Sequence, residues 1–175
     1  MDSRLRELKQ AVESAFDGMS TEQMSWHPAE KGKWCASEVL EHLYLTYTGT
    51  IKGFERMRDS GKALETQPSM RQRARMLVVL GFNYMPPGRK SPAMAKPRGL
   101  PVEKVRAEIG IKITAMDEII SECEARFGKN VTLLDHLILG PLTGAQWRKF
   151  HLVHGRHHVK QILQLRARQT EAMRA

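Results

Sequence analysis

The sequence carries four of its seven histidines in one stretch, WRKFHLVHGRHHVKQILQL (residues 147–165). Apolar residues recur there at helical spacing, and a helix turns by about 100° per residue, so the pattern predicts a helix with one inward face. On that helix His154 and His158 lie within about 40° of each other, on the same side as Trp147. The stretch therefore predicts a helix that carries two histidines into the interior of a helical protein.

Two histidines four positions apart on a helix can bind one metal ion together. Neutral imidazole is the commonest protein ligand for such ions and suits zinc, iron, copper and nickel. The ion needs a third ligand from elsewhere, and His42, at the edge of an earlier apolar stripe, is the best candidate. His27 and His136 fall in predicted loops and are weaker candidates. Three histidines would leave one coordination position open for water or a substrate atom.

A histidine on an apolar helix face is more often a hydrogen-bonded core residue than a metal ligand. For His42 taken alone, that alternative is favoured. The pair His154 and His158 on one inward face instead favours a metal. Because Gly155 follows His154, the glutamate of an HExxH metalloprotease motif is absent, and that class of enzyme is excluded.

The rest of the chain predicts an all-α fold, because no alternating strand pattern extends beyond four residues. We expect one domain over residues 1–175, a four-helix bundle with an extra short helix. The long connection 81–101 holds five prolines and three glycines and is a candidate lid, with Tyr84 and Arg89 as possible contacts. The connection 129–142 is also predicted to be irregular. The predicted helices cover about 2–16, 36–57, 69–80, 101–127 and 143–168, with one helical turn near 20–22.

Composition is typical of a globular protein, with 41% apolar and 27% charged residues. The two cysteines, Cys35 and Cys123, form no CxxC motif and no disulfide framework, which favours a reducing, cytoplasmic setting. The longest apolar run is far shorter than the roughly 20 residues of a membrane span, and the N-terminus lacks a signal-peptide pattern. We therefore expect a soluble protein without a membrane partner.

The net charge of +9 raises the question of nucleic acid binding. Most basic residues lie in mixed-charge runs, and only 70–75 and 88–98 are locally basic. Neither stretch alternates with aromatic residues, and no helix-turn-helix or zinc-finger spacing is present. The charge is therefore predicted to be a solvated surface, and a nucleic-acid module is the disfavoured alternative.

Three stretches resemble the DinB-like superfamily, which includes bacillithiol- and mycothiol-dependent transferases and many proteins of unknown function. They are KWCASEVLEHL (33–43), HLILGPLTGAQW (136–147) and HGRHH (154–158) followed by Gln161 and Ile162. The resemblance implies a four-helix bundle in which His42, His154 and His158 bind a divalent metal: zinc, nickel, iron or manganese.

One departure from the superfamily pattern concerns a fourth histidine. Many relatives carry it where this chain has Phe150, and His151 stands one residue later. His151 could be a fourth ligand, a hydrogen-bond donor to a ligand, or a packed side chain. His136, Trp147 and Gln161 are further candidates for supporting a ligand or lining the substrate pocket.

The resemblance implies a metal-dependent enzyme acting on a small molecule, through transfer to a low-molecular-weight thiol whose thiolate the metal stabilises. Hydrolysis by a metal-bound water and metal binding without catalysis are the alternatives. No general base stands out, since Glu38, Glu41 and Asp135 are predicted to be solvated surface carboxylates. Relatives often pair through helix faces, so a homodimer is also an expectation.

Overall fold

Four long helices form where apolar residues recur at helical spacing in the sequence, and shorter elements connect these helices. The computed structural model describes residues 1–64, 66–86, 88 and 91–172. Helices account for 68% and strands for 5% of the structure, so the expected all-α class is confirmed. In chain order the elements are α1 (Ser3–Phe16), α2 (Thr21–Ser25), α3 (Ala36–Ser60), α4 (Met70–Met76), α5 (Val102–Phe127), β1 (Thr132–His136), β2 (Gly140–Thr143) and α6 (Gly144–Ala172).

The four long helices α1, α3, α5 and α6 pack as a bundle, in which α3 contacts both α5 and α6 while α1 lies against α6. Their buried apolar side chains form one continuous cluster. Each fully buried aliphatic or aromatic side chain contributes roughly 1.5–3 kcal/mol. The packing encloses the facing sides of α3 and α6, where His42 and the histidine-rich stretch lie. Among the largest enclosed side chains are Tyr47, Phe54, Leu40, Ile109, Met116 and Ile120.

The connection between α5 and α6 is a β-hairpin, which corrects the irregular segment expected at 129–142. β1 and β2 pair antiparallel, with Leu134 opposite Leu142 and His136 opposite Gly140. Strands of five and four residues are too short to show a clear alternation, and Pro141 lowers the strand signal further. The hairpin is held to the bundle because Trp147 Nε1 donates to the Leu134 carbonyl at 3.0 Å.

The helix expected at 69–80 changes form along its length. It is α-helical over α4 and continues as a π-helical turn, Leu77–Gly81. The following connection, expected to hold no regular element, contains a 3-10 turn, Ala93–Ala95. Ala95 is 7% exposed, so this turn lies against the bundle and is not a free loop.

The buried carboxylate of Glu41 in α3 holds the connection in place. It accepts hydrogen bonds from the backbone N–H groups of Arg98 at 2.7 Å and Gly99 at 3.1 Å. The connection is thereby fixed beside the α3 residue that follows Glu41, which is His42. Within the part of the chain that the structure describes, no helix is long and apolar enough to cross a membrane.

Candidate metal centre

Three imidazole nitrogen atoms converge between α3 and α6. His154 Nε2 lies 3.3 Å from His42 Nε2 and 3.1 Å from His158 Nε2. Two nitrogen ligands on one tetrahedral ion, each about 2.0–2.1 Å from it, lie roughly 3.3 Å apart. The structure thus holds a group of three histidines, with ligand atoms within 4.8 Å of one another, that could hold a metal ion.

The outer nitrogens of two of these rings have fixed partners. His42 Nδ1 lies 2.7 Å from the Ala95 carbonyl oxygen, which can only accept, so Nδ1 carries the hydrogen. His158 Nδ1 lies 2.8 Å from Gln161 Oε1, and the other end of that amide reaches His157 Nε2 at 3.1 Å. In both rings the hydrogen on Nδ1 leaves Nε2 with a free lone pair that faces His154.

These lone pairs are poorly satisfied by the protein alone. His154 Nε2 has one hydrogen at most in the neutral ring, so it can donate to only one of its two neighbours. Burial lowers the pKa of all three rings, and neighbouring histidines lower it further for His154 and for His158, whose pKa falls to about 3. The rings are therefore neutral near pH 7, and a cation between them would match every lone pair.

Aromatic side chains enclose the histidine group. The Trp34 ring lies 5.3 Å from that of His42, and the Phe150 ring stacks on His154 at 5.4 Å with a 14° angle between the planes. His42 and His158 are 5% and 8% exposed. An apolar surround of this kind limits water access and strengthens the interaction of a cation with its ligands.

His151 lies outside the group of three. It is fully buried, its ring stacks on Trp147 at 5.6 Å, and burial together with nearby His136 lowers its pKa to about 3. Its Nε2 lies 3.2 Å from the hydroxyl of Thr50, which donates to the Thr46 carbonyl and so accepts from His151. Of the roles left open by the sequence, the geometry supports a packed side chain.

His136 is in strand β1, and not in an irregular loop as expected. Its Nδ1 accepts from the backbone N–H groups of Ile138 and Leu139, each at 3.1 Å. The ring lies 4.4 Å from Phe150, and burial lowers the pKa of His136 to about 4. His136 is therefore a neutral ring with its hydrogen on Nε2, separated from the histidine group by Phe150.

Glu41 overturns one sequence expectation. It was expected to be a solvated surface carboxylate, yet it is 3% exposed and binds two backbone N–H groups of the 81–101 connection. No sequence signal indicated this, because its partners are backbone atoms more than 50 residues away. Asp135 is exposed, as expected. Tyr84 is 54% exposed, and Arg89 lies outside the described residues.

A second group forms at the start of α3 from His27, Cys35 and Glu38, and the sequence did not indicate it. His27 Nε2 lies 3.1 Å from Glu38 Oε2, which also accepts from the Cys35 backbone N–H at 2.9 Å. This carboxylate is thus engaged in capping the helix, and Glu38 is half-buried, not fully solvated. His27 belongs to this group and not to that of His42.

Comparison with known proteins gives one family match. No curated protein and no solved structure matched the chain. Residues 1–164 match a family described as "Protein of unknown function (DUF1569)", and the matched region includes His42, His154 and His158. Since the match spans nearly the whole chain, the protein belongs to the DUF1569 family of proteins of unknown function.

Proposed function

We propose that this protein is a metal-dependent enzyme of the DinB-like kind that acts on a small molecule. The metal would be a divalent ion, zinc, nickel, iron or manganese, held by Nε2 of His42, His154 and His158. The observation that carries the proposal is the convergence of these three nitrogens at 3.1 and 3.3 Å, with two of the lone pairs fixed toward the third ring. Imidazole ligands suit all four metals to different degrees.

The surrounding residues prepare the site for such an ion. The Ala95 carbonyl and the Gln161 amide hold two ligands in the tautomer that binds metal, and hydrogen bonds of this kind also raise ligand basicity. Trp34 and Phe150 keep the site apolar. Three protein ligands leave an open position, which is typical of catalytic and not of structural sites.

The reaction we favour is transfer involving a low-molecular-weight thiol. A divalent ion bound here would lower the pKa of a thiol or a water molecule in the open position. The DinB-like resemblance favours the thiol over water. Among the described carboxylates near the site, Glu41 is engaged by two backbone N–H groups, which makes it a positioning residue and a poor general base for hydrolysis.

Elemental analysis of untagged protein, never exposed to a nickel column, tests the metal site. We expect about one ion per chain in the wild type, and none in His42→Ala or His154→Ala. His27→Ala is the matched control, because His27 is exposed and lies outside the group, and it should keep the ion. Absence of metal from the wild type after incubation with zinc, nickel and manganese would contradict the proposal.

Turnover separates an enzyme from a metal-binding protein without activity. The metal-loaded wild type should consume a low-molecular-weight thiol in the presence of an electrophile, and metal-free His154→Ala should not. If bound metal raises the melting temperature but neither thiol transfer nor ester hydrolysis is detected, the catalytic part of the proposal is wrong. Hydrolysis without thiol transfer would select the water-activating alternative.

A further inference from the structure

A small apolar pocket lies beside the metal centre. Its volume is about 260 Å³, and its walls come from α4, the π-helical turn, the hairpin tip and α6. Pockets for drug-sized ligands span roughly 300–1,000 Å³, so this one suits a smaller molecule. The apolar side chains that line it include Val78, Val79, Met85, Ile138, Leu139 and Phe150.

Phe150 links the pocket to the histidine group. Phe150 lines the pocket, and its ring also stacks on His154 at 5.4 Å. The pocket is therefore one side chain away from the proposed ligands. A molecule held in it would lie next to the metal centre without needing the metal for its binding.

The two described polar side chains that line the pocket, His136 and Arg75, are hydrogen-bond donors. His136 lines the pocket, and its Nδ1 is already occupied by the N–H groups of Ile138 and Leu139. The remaining nitrogen, Nε2, must carry the hydrogen of the neutral ring and can only donate. Arg75, an exposed side chain at the pocket, reaches the Ile138 carbonyl at 3.4 Å and supplies a positive charge.

None of the described residues that line the pocket is acidic. An apolar wall with two donors and a cationic rim complements an anion that has a hydrocarbon body. A carboxylate fits best, since guanidinium and imidazole N–H groups bind its oxygens with charge-assisted hydrogen bonds.

We propose that this pocket binds a small carboxylate with an apolar body, one oxygen accepting from His136 Nε2 and the negative charge facing Arg75. In the enzyme this molecule would be the substrate, or the part of it that positions the reacting group at the metal. That role rests on the proposed function, whereas the binding itself does not.

Titration of metal-free protein with phenylacetate, followed by NMR or calorimetry, tests the pocket. Metal is removed because a carboxylate could otherwise bind the ion. We expect saturable binding that is at least tenfold tighter than that of the neutral analogue phenylacetamide. His42→Ala, which removes a proposed metal ligand on α3, should bind phenylacetate like the wild type, so that failure of the pocket and failure of the metal site give different results.

Three variants test which groups of the pocket bind phenylacetate. His136→Asn keeps an oxygen that can accept from Ile138 and Leu139 but removes the Nε2 donor, and it should weaken binding at least tenfold. Ala74→Trp should fill the pocket from an exposed helix position and abolish binding. Arg75→Gln should erase the preference for phenylacetate over the amide.

Arg73→Gln is the matched control, because Arg73 is on the same helix but does not line the pocket, and it should bind as the wild type does. The proposal is overturned if the wild type does not bind phenylacetate at millimolar concentration. It is also overturned if binding is unchanged in both Ala74→Trp and His136→Asn.

Discussion

Gly155 sits between two of the proposed ligands and sets how closely α6 approaches α1. A Cβ atom at this position would lie 2.1 Å from Leu8 Cδ1 and 3.3 Å from the Tyr47 hydroxyl. Leu8 and Tyr47 are both fully buried, so neither side chain can swing out into solvent to make room. The absence of a side chain at position 155 therefore allows the helix packing that brings His154 and His158 to α3.

We predict that Gly155→Ala destabilises the protein by about 1–3 kcal/mol, even though alanine favours helices by about 1 kcal/mol over glycine. Gly49→Ala is the control, since Gly49 is on the exposed surface of α3 and a methyl group added there would meet no atom within 4 Å. That substitution should stabilise the protein by roughly 0.5–1 kcal/mol. Urea unfolding measures both free energies. Equal effects of the two substitutions would show that the α1–α6 contact is not tight.

Single residues also show which contacts can be predicted from local sequence patterns and which cannot. Helical periodicity was sufficient to place His154 and His158 on one inward face, because that property depends only on local spacing. The partner of His42 Nδ1 is a carbonyl oxygen 53 residues away, and no local pattern encodes such a contact. For the same reason the burial of Glu41 was not predicted.

At the scale of elements, the 81–101 connection joins the proposed centre through a chain of hydrogen bonds. Glu41 holds the N–H groups of Arg98 and Gly99, and the turn before them presents the Ala95 carbonyl to His42. A ligand oriented in this way loses roughly 10–100-fold in metal affinity when its partner is removed. The sequence makes this connection a candidate lid, and its described contacts make it a support for the His42 ring.

We therefore predict that Glu41→Gln weakens metal binding by about tenfold, because the amide offers one acceptor where the carboxylate offers two. Hydrogen exchange of the Arg98 and Gly99 amides should accelerate in the same variant. Asp135→Asn serves as the control, since Asp135 is exposed, and it should alter neither quantity. Unchanged exchange at both amides in Glu41→Gln would show that Glu41 does not hold this segment.

The elements that the sequence predicted well are the long ones. α3, α5 and α6 are each at least 25 residues long, so the apolar stripe repeats over several turns and the helical period is unambiguous. The hairpin and the 3-10 turn have too few residues to establish a period, and they form because the bundle offers them an apolar surface. Leu133 and Leu142, both fully buried, are the residues through which the hairpin uses that surface.

At the scale of the whole molecule, the surface is basic, whereas the histidines buried in the interior are neutral. The one buried arginine among the described core residues, Arg148, is paired with Asp117 at 2.6 Å and Glu124 at 2.7 Å, which joins α6 to α5. Among the described residues, no acidic side chain pairs with the buried histidines in this way. Their protonation would place unpaired charge in the core, and acid is therefore expected to destabilise the fold.

The destabilising effect of acid is clearest for His136 and His151, which are not proposed metal ligands. Their pKa values in the folded protein are about 4 and about 3, below the value near 6.5 expected for an unfolded chain. At a pH between the folded and the unfolded pKa, the unfolded chain binds more protons than the folded chain. The stability from these two groups is therefore present above pH 6.5 and is lost as the pH falls. These differences, about 2.5 pKa units for His136 and about 3.5 for His151, correspond to roughly 3 and roughly 5 kcal/mol.

We predict that the free energy of unfolding of metal-free protein, measured by urea titration, falls steeply between pH 6.5 and pH 4. His151→Phe should reduce this fall, because its ring cannot be protonated and because Thr50 still donates to the Thr46 carbonyl. The exposed Leu163 on the same helix serves as the control, and Leu163→Phe, which replaces no titratable group, should leave the pH dependence unchanged. If His151→Phe and the wild type lose stability in parallel, His151 is protonated in the folded state and the buried, neutral environment assigned to it is wrong.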